Sequence, residues 1–314
     1  MSGKKIVMLG GTGFVGRHLV PRLTAQGHCV TVLSRNRDKH PELRVLPQAR
    51  VVNARVYECD ELVRHLDGAD VAINLVGILN ERGRSGAGFR RAHVELTATL
   101  IRACREAGVR RLLQMSALNA GQGRSHYLRT RGEAESLVKD SGLQWTLFQP
   151  SVIFGRGDGL FTRFATLLKL APVMPLARAG ARFAPVFVGD VAQGFVLAVA
   201  DRQTLARTYP MGGPAVMTLA EIVRYTAHHL GLKRLVVPLP DVLGRLQAFA
   251  FDFVPGKPFS TDNYLSLLLD SVPQEDGLAA LGIQATHVDT VVPAYLRGLS
   301  RQTRLDGYRR YRSR

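Results

Sequence analysis

The sequence of 314 residues has few cysteines, one tryptophan and no long apolar run. Cys29, Cys59 and Cys104 show neither metal-ligand spacing nor a pairing pattern, so we expect no metal and no disulfide, as suits a reducing compartment. No window reaches the roughly 18 uncharged apolar residues that a membrane span needs, and the apolar run before residue 10 is too short for a signal peptide. These absences predict a cytoplasmic protein.

Acidic residues are also scarce, since 25 Asp and Glu stand against 42 Lys and Arg and the net charge is +17. This charge is compatible with nucleic acid, an anionic membrane surface or an acidic partner. Arginine supplies 35 of the 42 cations, a ratio that genome base composition can also produce. Because aromatic stacking motifs and a basic nucleic-acid-binding fold are missing, we do not expect nucleic acid as a partner.

The N-terminal region is organised around a glycine-rich sequence, GGTGFVG, which follows apolar residues at positions 6–9. The apolar run predicts a buried strand, and Gly10 permits the tight turn that must follow. Gly13 lets the main chain approach a pyrophosphate, and Gly16 lets the next helix, at residues 14–26, pack closely on the strand. The helix N-terminus offers free N–H groups to the anion. This context predicts a dinucleotide site in preference to a flexible turn.

The next strand, at residues 29–33, ends in Ser34-Arg35-Asn36-Arg37. An NAD-selective fold carries Asp or Glu here for the ribose 2′-hydroxyl, and this acid is absent. Arg35, and with less support Arg37, can neutralise a 2′-phosphate because a guanidinium meets phosphate in a bidentate geometry. We therefore predict that NADP(H) is preferred over NAD(H). The alternative is a solvated loop arginine in an arginine-rich chain.

Further strands at residues 50–56, 71–76, 111–115 and 144–148 alternate with helices at 59–66 and 90–107. The alternation predicts an α/β fold with a Rossmann-type doubly wound parallel sheet, which binds ligands outside the carboxyl ends of its strands. Later prolines indicate a small C-terminal substrate or partner region. We expect a dinucleotide-binding domain at residues 1–155, completed by later segments, the smaller region at 156–296, and a basic tail at 297–314.

Several segments together resemble the extended and atypical short-chain dehydrogenase/reductases. They are GGTGFVG, VAINLVGIL, the tyrosine of HYLRTRGEAE, QPSVIFGRGDGLF, PVFVGDVAQ, YPMGGP and TDNYLSLLLDSV. The set is similar to the branch that contains the alpha-subcomplex subunit 9 of mitochondrial complex I (NADH:ubiquinone oxidoreductase) and its bacterial relatives. The resemblance runs from about residue 4 to residue 292.

The resemblance implies where the cofactor lies. Relatives carry an Asp near the end of the third strand, where this chain has Arg55, which we expect to add positive charge at the pocket rim. The small Gly77 is expected to give the dinucleotide room. The implied cofactor-binding residues are Gly10, Thr12, Gly13, Phe14, Val15, Gly16, Ser34, Arg35, Arg37, Leu75, Val76, Gly77, Tyr127, Arg131, Pro150, Ser151 and Val152.

The family's chemistry uses a tyrosine acid and a lysine four residues later, whose charge lowers the tyrosine pKa while it binds the nicotinamide ribose. Here Tyr127 is followed by Arg131, which supplies charge but is forked and releases no proton. Ser116 is the candidate for the assisting serine, although the family places that residue slightly beyond it. We expect a tightly held cofactor with little or no turnover, linked by resemblance to a respiratory complex I or quinone-related process. The alternative is an active NADPH-dependent reductase or epimerase that uses Tyr127.

Two C-terminal segments bear on partners. A helix at residues 241–253 gathers an apolar stripe, for which core packing is favoured over docking on a membrane or partner because no basic belt flanks its polar face. After the strand-like pair Val291-Val292, residues 297–314 hold seven arginines and one acid, Asp306. They predict an electrostatic contact with an anionic surface at the inner face of the membrane, or with an acidic partner. A solvated tail without a role is the alternative.

Overall fold

The computed structural model describes residues 3–254 and 257–297. Its strands are β1 (Lys5–Leu9), β2 (Cys29–Ser34), β3 (Ala49–Asn53), β4 (Val71–Asn74), β5 (Arg111–Met115), β6 (Gln144–Pro150), β7 (Ile153–Phe154), β8 (Val173–Leu176), β9 (Arg182–Phe183), β10 (Val186–Phe187), β11 (Arg207–Met211), β12 (Met217–Thr218) and β13 (Leu235–Pro238). Its helices are α1 (Phe14–Ala25), α2 (Pro41–Arg44), α3 (Cys59–Leu66), α4 (Ala87–Arg90), α5 (Leu96–Glu106), α6 (His126–Lys139), α7 (Phe161–Leu170), α8 (Val188–Ala200), α9 (Leu219–His229), α10 (Asp241–Phe251), α11 (Thr261–Ser266) and α12 (Val288–Arg297).

The described residues form two compact units. The first contains residues 3–150, 188–211 and 274–284, and the second contains 151–187, 212–254, 257–273 and 285–297. The first unit therefore takes two segments that lie beyond the boundary drawn at residue 155 from the sequence.

The first unit is built on a sheet of seven parallel strands in the order β11-β6-β5-β4-β1-β2-β3. The strands β4 and β5 are buried along their whole length, and β1 is buried from Ile6 to Leu9, because helices cover both faces of such a sheet. The strand order runs outward in two directions from β1 and β4. The predicted doubly wound fold is confirmed, and its switch point lies between the carboxyl ends of these two strands.

Several elements of the first unit differ from their predicted bounds, including β3 (predicted at 50–56) and β6 (predicted at 144–148), and two further differences bear on the site. The strand β4 ends at Asn74, because the Asn74 side-chain oxygen accepts the Val76 N–H at 3.0 Å and turns the chain away from the sheet. The helix predicted at residues 90–107 is interrupted by a π-helical turn at Arg91–Glu95, between α4 and α5.

The second unit has three two-stranded sheets, β7 with β10, β8 with β13 and β9 with β12, and five helices among its described residues. The prediction of a strand-like segment at Val291-Val292 is wrong. Both residues lie in α12, where Val288, Val292 and Leu296 recur at the helical spacing and are buried in one apolar cluster.

The helix α10 also departs from expectation. Its large apolar side chains, such as Val242 and Leu246, are exposed, and its buried residues are the small Gly244 and Ala248. The prediction of core packing for this stripe is therefore wrong. Over the described ranges, no helix is both long enough and apolar enough to cross a membrane. The predicted basic tail lies outside the described residues, apart from Arg297 at the end of α12.

Candidate functional site

The glycine-rich turn joins β1 to α1 and is closely packed. Gly10 has a φ of +75°, and a Cβ there would lie 2.9 Å from the carbonyl carbon of Leu75 and from the amide nitrogen of Val76. The Gly13 N–H donates to the Gly10 carbonyl at 3.0 Å, and a Cβ on Gly16 would overlap the main chain of Gly11. Gly10 and Gly16 thus stand where a side chain would collide or strain the backbone, whereas a Cβ on Gly13 would make a tight contact, 3.1 Å from the Gly10 carbonyl oxygen.

The N-terminus of α1 follows this turn without a capping side chain. Gly13 takes an extended conformation at the N-cap, and the first turn holds no acidic residue. The N–H groups of Phe14, Val15 and Gly16 have no acceptor among the residues that the structure describes, since the first helical bond runs from Arg17 to Gly13. Together with the half-buried Thr12, they form a surface suited to a pyrophosphate.

At the carboxyl end of β2, the two predicted arginines differ in their surroundings. Ser34 is buried and its hydroxyl accepts the Asn36 N–H at 3.2 Å. Arg35 is exposed and makes no hydrogen bond or ion pair with any described residue, whereas Arg37 lies 3.6 Å from the Asp38 carboxylate. Arg35 is thus the better placed of the two for an added phosphate.

The expectation that Arg55 adds positive charge at the rim is wrong. Its guanidinium lies 2.9 Å from the carboxylates of both Glu58 and Glu61, which compensate the charge. The Arg55 N–H, its guanidinium and the nearby charges lower the pKa of Glu61 against the opposing effect of burial. A second cation, Arg91, lies with its guanidinium carbon 4.6 Å from the ring centre of Tyr57.

The loop after β4 is fixed from below by a buried amide network. The Asn74 amide donates to the Gln114 side-chain oxygen at 3.0 Å, while the Asn74 oxygen holds the Val76 N–H. The Leu75 N–H donates to the Leu9 carbonyl at 2.9 Å. These hydrogen bonds fix the position of residues 75–77 beside the glycine-rich turn.

Arg131 is buried in α6, with 5% of its surface exposed. Its Nη1 donates to the Met115 carbonyl at the end of β5, at 3.0 Å, and to the Val76 carbonyl in the loop after β4, at 3.4 Å. Its Nη2 occupies the space that a side chain on Gly77 would need. The room left by Gly77 therefore accommodates the arginine of this chain.

Tyr127 lies one turn before Arg131 on α6, which begins at the N-cap Ser125. The Tyr127 ring is half-buried, with its centre 5.6 Å from the Arg131 guanidinium carbon. The rings of Phe89 and His93 stand edge-on to it at 6.1 and 5.6 Å. The four-residue spacing thus brings the tyrosine and the arginine together, as the sequence predicted.

His93 is a site residue that the sequence did not reveal. It lies in the π-helical turn, and its buried Nε2 accepts the Ile78 N–H at 3.3 Å while Nδ1 meets the Thr130 hydroxyl at 2.9 Å. An N–H donor at Nε2 requires that nitrogen to be unprotonated, so the ring is neutral. Burial, aided by the charge of Arg131, lowers the His93 pKa to about 2. His93 thus ties the loop after β4 to α6.

Ser116 follows β5 and is buried, and its N–H donates to the Phe148 carbonyl at 2.7 Å. Its hydroxyl and the Nε of Arg131 are buried polar atoms without a hydrogen-bond partner among the described residues. Buried polar groups normally have partners, so a ligand with hydroxyl and amide groups suits this site. The glycine cradle and these two atoms together fit a dinucleotide.

The last three predicted cofactor residues lie around the end of β6. The Pro150 carbonyl accepts the Leu118 N–H at 3.0 Å within the first unit. Ser151 and Val152 belong to the second unit, where the Ser151 hydroxyl donates to the Ser271 carbonyl at 2.6 Å and the Val152 carbonyl accepts the Val186 N–H at 3.0 Å. Their contact with a cofactor stays a prediction.

Comparison of the sequence with known proteins supports a dinucleotide-binding domain in this chain. A family model described as NAD(P)H-binding matches residues 10–161. The chain is 28% identical over 300 residues to the mouse (Mus musculus) mitochondrial NADH dehydrogenase (ubiquinone) 1 alpha subcomplex subunit 9, covering 92% of this chain and 78% of the relative. It is 29% identical over 243 residues to a ceramide reductase of Caulobacter vibrioides, covering 75% and 74% of the two chains.

Solved structures share the fold at lower identity. A dTDP-glucose 4,6-dehydratase from Streptomyces venezuelae with NAD bound has a TM-score of 0.73 at 20% identity and covers 93% of this chain and 96% of its own. A UDP-glucose 4-epimerase from Thermotoga maritima has a TM-score of 0.71 at 15% identity, with coverages of 93% and 96%. Residues 10–161 thus match a family model described as NAD(P)H-binding, and the resemblance of the chain to the extended and atypical short-chain dehydrogenase/reductases is confirmed.

Proposed function

We propose that this protein binds NADP(H) and holds it with little or no hydride turnover. The observation that carries the proposal is the engagement of Arg131, whose Nη1 donates to the carbonyls of Val76 and Met115. A lysine in this role must direct its ammonium to the ribose and lower the tyrosine pKa, whereas this guanidinium is held by the main chain. The bound dinucleotide would supply the hydride, and the chain's own residues would bind and orient it.

The binding residues divide by the part of the cofactor that they suit. The free N–H groups at the start of α1 suit the pyrophosphate, and the unpaired guanidinium of Arg35 suits a 2′-phosphate. The unpartnered hydroxyl of Ser116 and the Nε of Arg131 suit polar groups farther along the cofactor. These features support NADP(H) over NAD(H).

Substitution of Arg35 tests the cofactor preference. We expect Arg35→Ala to weaken NADPH binding by about tenfold, the usual scale for losing one charge-assisted phosphate contact, and to leave NADH binding nearly unchanged. Calorimetric titration measures both affinities. Arg37→Ala is the matched control, because the Arg37 side chain already faces Asp38. Equal NADPH affinity in wild type and Arg35→Ala would show that this arginine does not meet the 2′-phosphate.

A link to a respiratory complex I or quinone-related process is part of the same proposal. It rests on the similarity to complex I alpha subcomplex subunit 9 over most of both chains. We propose a cytoplasmic place at the inner face of the membrane, with the basic tail of residues 297–314 as an electrostatic contact, since this segment holds seven arginines and one acid.

The second candidate is an active NADPH-dependent reductase or epimerase that uses Tyr127. The similarity to a ceramide reductase favours it, as do the half-buried Tyr127 and the unpartnered hydroxyl of Ser116. In that case substrates would be carbonyl compounds, including quinones and oxidised lipids.

Paired variants separate the two candidates. If the missing lysine limits turnover, Arg131→Lys should raise NADPH oxidation with a panel of carbonyl compounds and quinones, and Tyr127→Phe should abolish it without loss of binding. Absorbance at the reduced-nicotinamide band reports turnover, and titration reports binding. Equal rates in wild type and Tyr127→Phe would exclude tyrosine-based chemistry and leave cofactor binding as the function.

A further inference from the structure

The second unit carries most of the apolar surface that the described residues expose. Twelve of the sixteen large apolar side chains that are exposed belong to it. Four of them, Val242, Leu246, Phe249 and Phe253, recur at spacings of three or four residues, so that α10 and the turn after it present one stripe. Val242 is 76% exposed, Leu246 61% and Phe253 65%. We call these four residues the α10 stripe.

The protein holds this stripe outward by its packing on the opposite side of α10. A Cβ on Gly244 would lie 3.0 Å from the Cβ of Ala177 and 3.4 Å from the Tyr264 ring, so only a small residue fits there. Gln247 donates to the Pro175 carbonyl at 3.1 Å, and Asp241 pairs with Arg178 at 3.1 Å. The helix thus buries small residues and exposes large apolar ones, the reverse of a helix that serves only to cover a core.

A second apolar surface lies on the sheet of β8 and β13, next to α10. Leu235 and Val173 are paired in register, and both are exposed together with Val237, which shares the face of Leu235. Leu170, at the end of α7, is exposed as well. The Gln247 side chain of α10 donates to the Pro175 carbonyl of β8, so the two exposed apolar surfaces lie on adjoining elements. Exposed large apolar side chains gathered in this way indicate an interaction site.

The charges around these surfaces point to the chemistry of the occupant. Lys169 precedes Leu170, Lys233 stands two residues before Leu235, and both lysines are exposed. The acids of the α10 segment are engaged, because Asp241 pairs with Arg178 and Arg245, and Asp252 accepts the Thr261 hydroxyl at 2.6 Å. The sequence after α12 holds a further six arginines and one acid. The occupant is therefore apolar in its body and anionic at its surface.

A second copy of the chain meets only half of this description. It would match apolar surface with apolar surface, but a net charge of +17 on each copy and lysines on both faces would repel it. An anionic lipid bilayer offers acyl chains to the apolar side chains and phosphates to the lysines. We propose that the α10 stripe and the β8–β13 face dock in the interfacial layer of an anionic membrane.

The test uses the full-length protein and sedimentation with vesicles. Vesicles of phosphatidylglycerol and phosphatidylcholine in equal amounts should bind the wild type, and phosphatidylcholine alone should bind it less. The double variant Leu246→Gln/Phe253→Gln should reduce partitioning by about tenfold or more, because two large apolar side chains no longer enter the acyl boundary. Val45→Gln is the control, since Val45 is also a largely exposed apolar residue but lies in the first unit. NADPH affinity should be unchanged in both.

Two further measurements separate this proposal from its competitors. Deletion of residues 298–314 should leave residual binding that still depends on Leu246 and Phe253. A tryptophan introduced by Phe253→Trp should be quenched by brominated lipid, a change that does not challenge folding. Full vesicle binding by the double variant would overturn the proposal. So would a concentration-dependent dimer in ultracentrifugation that the double variant abolishes, if no vesicle binding accompanies it.

Discussion

The guanidinium of Arg131 donates to two main-chain carbonyls, whereas a lysine ammonium at this position would be a compact charge on a flexible stem. The sequence predicted that Arg131, four residues after Tyr127, supplies the charge at this position. It could not predict that the fork would be held by the carbonyls of Val76 and Met115, because that depends on where two distant strands end. Arg131 therefore has a structural role besides any contact with a ligand, because it holds the main chain at Val76 and Met115.

The role of His93 could not be predicted from the sequence either, because an isolated histidine carries no pattern that indicates its partners. Its surroundings arise from a π-helical turn and from Thr130, which lies on another helix. Only the tertiary structure brings together the N–H donor at Nε2 and the hydroxyl at Nδ1. His93, in its neutral form, holds the loop after β4. This positioning role can be measured through the pH dependence of the protein's stability.

We expect the stability of the protein to depend on pH through His93. The folded pKa is about 2 and the ordinary value is 6.5, so below pH 6.5 the unfolded chain takes up a proton that the folded chain excludes. The free energy of unfolding should therefore fall with decreasing pH by about 1.4 kcal/mol per unit from this group, or about 2 kcal/mol at pH 5. Above pH 6.5 the group contributes no slope.

Urea unfolding of wild type and His93→Gln at pH 7 and pH 5 measures this linkage. The stability difference between the two proteins should shrink by about 2 kcal/mol at the lower pH, because the variant lacks the titrating group. His228→Gln, which removes an exposed histidine, is the control. A difference that is the same at both pH values would mean that His93 is not kept neutral by the fold.

At the scale of elements, the turn between β1 and α1 combines a left-handed backbone with a close neighbour. Gly10 and Gly27 have similar φ values, +75° and +83°, but only at Gly10 would a Cβ meet other atoms, those of Leu75 and Val76. Substitution of Gly27 therefore tests backbone strain alone, whereas substitution of Gly10 tests strain together with steric crowding.

We expect Gly27→Ala to cost about 1 kcal/mol of stability, the strain of a left-handed alanine, and Gly10→Ala to cost roughly 2 kcal/mol more because the neighbouring main chain must shift. Chemical unfolding measures both values. NADPH affinity should fall in Gly10→Ala alone, since the displaced residues form the site. If the two variants lose the same stability, the contact with residues 75 and 76 is not tight.

Helices and strands were predicted correctly where a local sequence pattern determines them. The helix at residues 59–66 and the strand at 111–115 have the predicted bounds, because short local patterns define them: Leu62 and Leu66 recur at the helical spacing, and Gly108 precedes the strand. The pair Val291-Val292 was misread as a strand because two β-branched residues outweighed the helical spacing of Val288, Val292 and Leu296. The interruption between α4 and α5 has no sequence signal that we recognise.

At the scale of the whole molecule, the parallel sheet and the switch point at β1 and β4 follow from the alternation of strands and helices. The second unit does not, since its short strands are set by pairings between distant residues such as Leu235 with Val173. The periodicity of α10 was correct, but a pattern cannot say which face of a helix the rest of the protein covers. The small residues Gly244 and Ala248 indicate the buried face, because they form the side of α10 that packs against the protein.

The sheet of the first unit is closed by β11, which pairs with β6 although 56 residues of sequence separate the end of one from the start of the other. The intervening chain includes residues 151–187 of the second unit. During synthesis on the ribosome, β6 must therefore wait with an open edge until residues 207–211 have left the exit tunnel. At about 5–20 residues per second this exposes an unpaired strand for several seconds, a window in which a chaperone has time to act.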